Sequence, residues 1–112
     1  MSARAQTWLW MAQRASAAVL AFCVVVHLFT IIYAVRGGLT AAEILGRTYG
    51  STAWFVFYAA FVAAAAIHAP IGLRPVLGEW LRWRGRSREV VLVLFGIALL
   101  LVGMRAVLAV FR

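Results

Sequence analysis

Three apolar runs, at residues 16–35, 52–73 and 90–111, leave a chain of 112 residues little room for anything but a membrane. Each is long enough to cross a hydrocarbon core of about 30 Å, which takes about 20 residues as a helix. A soluble chain this short must cover its core with polar surface. Here 66% of the residues are hydrophobic and the mean hydropathy is +0.98, so that surface is missing. The first run follows Arg4 and Arg14 as a secretory signal would. It outruns the usual apolar stretch of about 7–15 residues and has no clean small-residue cleavage site, so it is expected to remain as a helix. The expected fold is all-α: one membrane-anchor domain over 1–112 with three transmembrane helices.

The formal charge of +8 comes from eleven basic residues, every one an arginine, placed mostly between the apolar runs. That distribution reads as a topology signal and not as a nucleic-acid surface. The connector after the second run carries Arg74, Arg82, Arg84, Arg86 and Arg88 against Glu79 and Glu89, whereas the one after the first carries Arg36, Arg47 and Glu43. The positive-inside rule then puts the N-terminus and the second connector in the cytoplasm and the C-terminus outside. Trp8, Trp10, Trp80 and Trp83 would mark the inner interface and Trp54 the outer one. Arg105, near the outer end of the third run, can snorkel to the headgroups.

Between the runs the punctuation is local. Gly37 and Gly38 end the first helix, because glycine adopts the left-handed cap conformation readily. "TAAE" at 40–43 has capping-box spacing and predicts a short surface helix before Gly50 and Ser51 turn the chain inward. Ser87 or a neighbour is expected to cap the third helix. The lone Cys23, among valines, reads as a small buried apolar residue.

An ionisable residue inside a membrane is a functional hypothesis by default. His68 shares a helical face with Phe57, Phe61, Ala64, Ala65 and Gly72. Small residues one turn either side of a histidine leave room for a flat macrocycle; equally, they make a packing seam with the histidine hydrogen-bonded across helices. Pro70, two residues on, frees a carbonyl one turn earlier and is expected to kink the helix. His27 lies on a less open face with Ser16, Leu20, Cys23, Ile31 and Ala34. Helix rise sets the two histidines at depths roughly 10 Å apart, too far to share one iron. Arg14, one turn after Trp10, is either a topology anchor or a donor to a quinone carbonyl or haem propionate.

The stretch "HAPIGLRPVLGEW" at 68–80 resembles the second-helix signature of the cytochrome b membrane-anchor subunits of succinate dehydrogenase and fumarate reductase. That signature is a histidine, then x-x-x-G-[IL]-R, then an acidic residue five positions after the arginine: here His68, Gly72, Leu73, Arg74 and Glu79. "QRASAAV" at 13–19 is similar to the first-helix pattern, commonly H-R-x-S-G, with Gln13 replacing a frequent histidine, Ala17 a frequent glycine, and Trp10 standing where some members carry a quinone-binding serine. The resemblance runs from about residue 10 to the end.

It implies that His68 is an axial ligand of haem b, the other ligand usually coming from a second anchor subunit. It also implies that Arg14 and Ser16 border a ubiquinone or menaquinone site and the haem propionates, with Arg74 a candidate for a propionate as well. His27 would be either the ligand of a second haem, since two-haem relatives carry histidines in both helices, or a packing histidine hydrogen-bonded across helices. The metal would then be the haem iron, and no catalytic chemistry would fall on this chain. The partners implied are a flavoprotein that oxidises succinate, an iron–sulfur subunit docked on the arginine-rich connector, and the bilayer of a bacterial inner membrane. A haem-free structural anchor of the same complex is the nearest rival. A small multidrug transporter is further off, because Glu43, Glu79 and Glu89 all lie in connectors or at helix ends, where none can couple protons within the membrane.

Overall fold

In the computed structural model, which describes all residues 1–112, four helices and no strands follow one another: α1 Ala3–Gly37, α2 Ala41–Thr48, α3 Thr52–Trp80 and α4 Arg86–Phe111. Of these, α1, α3 and α4 are long and apolar enough to cross a membrane. α1 has 35 residues, about 52 Å of rise, and therefore overruns a hydrocarbon core of about 30 Å. It begins at Ala3 and not at residue 16. Hydropathy locates the part of a helix that lies in lipid, whereas backbone hydrogen bonding carries on through Trp8, Trp10 and Arg14.

The caps follow the local chemistry. Ser2 opens α1 by accepting from the Ala5 N–H at 3.1 Å, and Gly38 closes it at φ 120 with its own N–H on Ala34 O. Thr40 and Glu43 form the expected capping box on α2: Thr40 Oγ1 accepts from the Glu43 N–H, and Glu43 Oε2 accepts from the Thr40 N–H at 2.9 Å. Arg47 ties α2 back to the end of α1, donating to Gly38 O at 2.9 Å and lying over the Tyr33 ring. The turn into α3 is fastened to the far end of α4 by the Gly50 N–H on Phe111 O. α4, however, is opened by Gly85 at φ 99 with no side-chain cap. Ser87 instead accepts from the Trp83 indole N–H at 2.8 Å, one turn back in the connector.

Pro70 and Pro75 both lie within α3, and the helix runs through them unbroken. Each removes one donor from the ladder without stopping it. The carbonyl freed by Pro70, Ala66 O, faces Gly96 of α4. A Cβ placed on Gly96 would come within 3.1 Å of that oxygen and of Pro70 Cγ. Any larger residue at 96 would crowd the two backbones at the proline turn.

α3 is the central helix, packed on α1 along one side and α4 along the other, while α1 and α4 scarcely meet. Few residues are buried, and they are mostly small: Ser16 and Cys23 on α1, Ala64 and Gly78 on α3, Leu92 and Val107 on α4. Large side chains point outward, Phe22, Phe29 and Val102 among them. That is the arrangement expected where lipid is the solvent and helices associate through close backbone approach.

Candidate functional site

Polar side chains gather at the two ends of this layer. At the end bearing the arginine-rich connector, α1 and α3 meet through Ser16 and His68. Ser16, spaced seven residues from Cys23 on the same buried stripe, is only 5% exposed. Its Oγ lies 3.3 Å from His68 Nδ1 and donates to the Gln13 carbonyl at 3.1 Å. His68 is half-buried, and its Nε2 makes no hydrogen bond within the chain. One turn further along α3, Gly72 abuts the Gln13 amide: a Cβ there would lie 3.1 Å from Gln13 Nε2, while Gln13 Oε1 is buried with no donor.

The small face of α3 foreseen around His68 is divided between helix packing and open space, with Ala65 on the cleft toward α4. Gly72 meets Gln13, and Ala64 is buried in the helix layer. His68 lines none of the principal clefts. An apolar groove of ≈ 430 Å³ runs beside it between α3 and α4, past Ala66, Pro70 and Gly96, and ends at Arg74 and Glu89.

Arg14 is exposed, with its guanidinium 5.1 Å from the centre of the Trp10 ring and no carboxylate partner. Arg74 has one. Its Nε donates to Glu89 Oε1 at 2.9 Å, which clasps α3 to α4, and Arg88, the neighbour of Glu89 on α4, donates to the same oxygen at 2.7 Å. Arg88 also reaches the Arg74 carbonyl. Glu89 counted in the sequence as one acidic residue in a basic connector, and its clasp was missed. A lone carboxylate beside Arg88 was the available signal.

At the α2 end, His27 is enclosed by aromatic rings. Its Nδ1 is 3.2 Å from the Tyr58 hydroxyl, and the Tyr58 and Phe61 rings both meet its ring edge-on with centroids at 5.7 Å. Thr30 donates to the His27 carbonyl at 2.7 Å. Trp54 stacks on Tyr58 and continues the aromatic cluster. His27 lines two clefts, ≈ 670 Å³ and ≈ 470 Å³, that reach under α2 to Ile44 and Thr48. Tyr58 carried no sequence signal as its partner, since the pairing depends on the register between α1 and α3.

Eleven residues of α1 separate Ser16 from His27, and ten of α3 separate Tyr58 from His68. Both helices therefore place the two imidazoles about 15 Å apart along the layer, further than the 10 Å expected. One iron cannot take both.

No three His, Cys, Asp or Glu side chains converge anywhere in the chain. A donor set of one histidine suits an iron whose equatorial positions are already filled by a porphyrin, and it is poor for a bare ion. A half-buried imidazole with one nitrogen held and the other bare, flanked by alanines and a glycine, fits an axial ligand.

Three membrane-length helices, with few buried side chains and their polar groups on helix seams, define a small multi-pass membrane protein. The sequence matches the succinate dehydrogenase/fumarate reductase transmembrane subunit family over residues 1–106, and the chain belongs to that family. No curated protein and no solved structure matches it. Membership makes it the transmembrane component of a succinate dehydrogenase/fumarate reductase complex.

Proposed function

We propose that this subunit is a cytochrome b anchor that holds one haem b through His68 Nε2 and helps form the quinone site beside it. The observation that carries this reading is the hold of the buried Ser16 hydroxyl on His68 Nδ1, with Nε2 free of any partner in the chain; His27 is held likewise by Tyr58, but among aromatic rings. Metal-bound histidines are typically held in this way, with the second nitrogen fixed by a neighbour. When bound, the haem supplies a one-electron carrier between the iron–sulfur subunit and quinone.

The protein's own part is binding and orientation. His68 would hold the haem iron through Nε2, together with a ligand from a second anchor subunit. Arg14, with no carboxylate partner, is the better placed of the two arginines to receive a propionate or a quinone oxygen at the membrane edge. Arg74 is already engaged by Glu89, so its contribution is to clasp α3 to α4. In this reading His27 is a packing histidine, held by Tyr58. The N-terminus and the α3–α4 connector face the cytoplasm of a bacterial cell. There the arginines from Arg82 to Arg88 meet the iron–sulfur subunit.

The test is the haem-to-flavin ratio of the complex that copurifies with a tag on this chain, read from reduced-minus-oxidised spectra and a flavin assay. About one haem per flavin, lost in His68→Ala with the subunits still assembled, is the expected result. An unchanged b-type band in His68→Ala would overturn ligation by His68.

A further inference from the structure

We propose that Ser16 is the positioning residue of His68, fixing the proton of the imidazole on Nδ1 and so keeping Nε2 available to iron. The proposal rests on the haem reading above and deepens it. A serine hydroxyl has one proton to give. Ser16 Oγ lies 3.1 Å from the Gln13 carbonyl, which can only accept, and 3.3 Å from His68 Nδ1, which can do either. With its proton on the carbonyl, Ser16 turns a lone pair toward the ring, and the ring proton then sits on Nδ1. The opposite assignment would place the ring proton on Nε2 and block coordination. The Gln13 carbonyl therefore selects the tautomer that a metal requires.

Burial makes the arrangement hard to replace. Ser16 is 5% exposed, so water has little access to stand in for its hydroxyl. The same turn of α1 touches α3 twice, at His68 through Ser16 and at Gly72 through the Gln13 amide, which fixes the height of the hydroxyl against the ring. A hydrogen bond accepted from Nδ1–H also makes Nε2 a stronger donor, and a stronger axial donor favours the oxidised iron. Ser16 would thus act on the redox midpoint as well as on loading, without touching the haem.

The experiment compares Ser16→Ala, Ser16→Cys and Ser16→Thr in the intact, copurified complex, with His68→Ala alongside. Ser16→Ala is expected to assemble, to weaken haem retention about tenfold or more, to raise the midpoint potential and to shift the low-spin EPR signature of the haem. Ser16→Cys, close in size and a weaker acceptor, should move the potential in the same direction even if the alanine variant assembles poorly. Ser16→Thr keeps the hydroxyl and should restore the wild-type potential. Unmoved potentials and EPR spectra in both Ser16→Ala and Ser16→Cys overturn the proposal. Haem that survives His68→Ala would instead overturn the ligand assignment on which it rests.

Discussion

His27 and His68 lie on the same α1–α3 seam, about 15 Å apart, and the seam treats them differently. His27 is held by the hydroxyl of a large aromatic residue and by two ring edges, from Tyr58 and Phe61. His68 is held by the smallest hydroxyl available, with alanines and a glycine on its own helix face. The first sets aromatic rings around an imidazole that still borders two clefts under α2; the second sets small residues around an imidazole that borders none of the principal clefts. An intramembrane histidine is thus better assessed by what occupies the space around it than by its presence.

Both arrangements depend on the helix layer staying in register, so the severest challenge to the contrast is to spread that layer. A Cβ on Gly103 would come 2.5 Å from Val62 Cγ1, and Gly103→Leu should force α4 off α3. The expected loss is about 3 kcal/mol, seen as a lowered Tm of the purified complex. An unchanged Tm would mean that the α3–α4 contact at Gly103 does not hold the layer on which both α1–α3 pairs depend.

Tyr58→Phe addresses the α2 end directly. It removes the hydroxyl beside His27 Nδ1 and should cost about 1 kcal/mol of stability with the haem-to-flavin ratio untouched. Loss of haem from that variant would erase the distinction and make His27 a ligand. At the other end, Glu89→Gln withdraws the charge shared by Arg74 and Arg88. Because the Glu89 side chain is 41% exposed, the penalty should stay below about 1 kcal/mol and shrink further in high salt. A large, salt-insensitive loss would show that this end is more deeply buried in the assembled complex than in the isolated chain.

The smallest effect concerns α2. Hydrogen bonds from the Thr40 hydroxyl and backbone hold the Glu43 carboxyl below the usual carboxylate range. A lowered folded-state pKa stabilises above the unfolded value and is lost as pH falls through the folded one. Hydrogen exchange of the α2 amides should therefore rise over unfolding controls only on acidification below the ordinary glutamate range. Fraying of α2 already at neutral pH would mean that the capping box does not hold the helix against the His27 clefts.

The three membrane-length helices, the end of α1 at Gly38, the capping box of α2 and the burial of Cys23 were all readable, because each depends on neighbours in sequence or on hydropathy. What escaped reading depends on register. Ser16 could be singled out by motif, but its partner is a histidine 52 positions away, and nothing local says that those two turns face each other. The same holds for His27 with Tyr58 and for Arg74 with Glu89. Pro70 shows the same dependence from another side. The proline rule describes one helix in isolation, and here a glycine on α4 lets a neighbouring backbone close over the freed carbonyl.

α1 and α4 flank α3 without closing on each other, so a chain of this shape cannot enclose a macrocycle unaided. If His68 supplies one axial bond and another chain the second, haem loading becomes a ternary equilibrium. Occupancy then depends on the supply of haem and of the other ligand-bearing subunit together. Linkage runs both ways: a haem that binds only the joined pair stabilises that pair, by about 2.7 kcal/mol when its free concentration is a hundred times its dissociation constant. Cells starved of haem should then accumulate separated anchors prone to degradation, and abundance of the whole respiratory complex would follow porphyrin supply with no transcriptional control required.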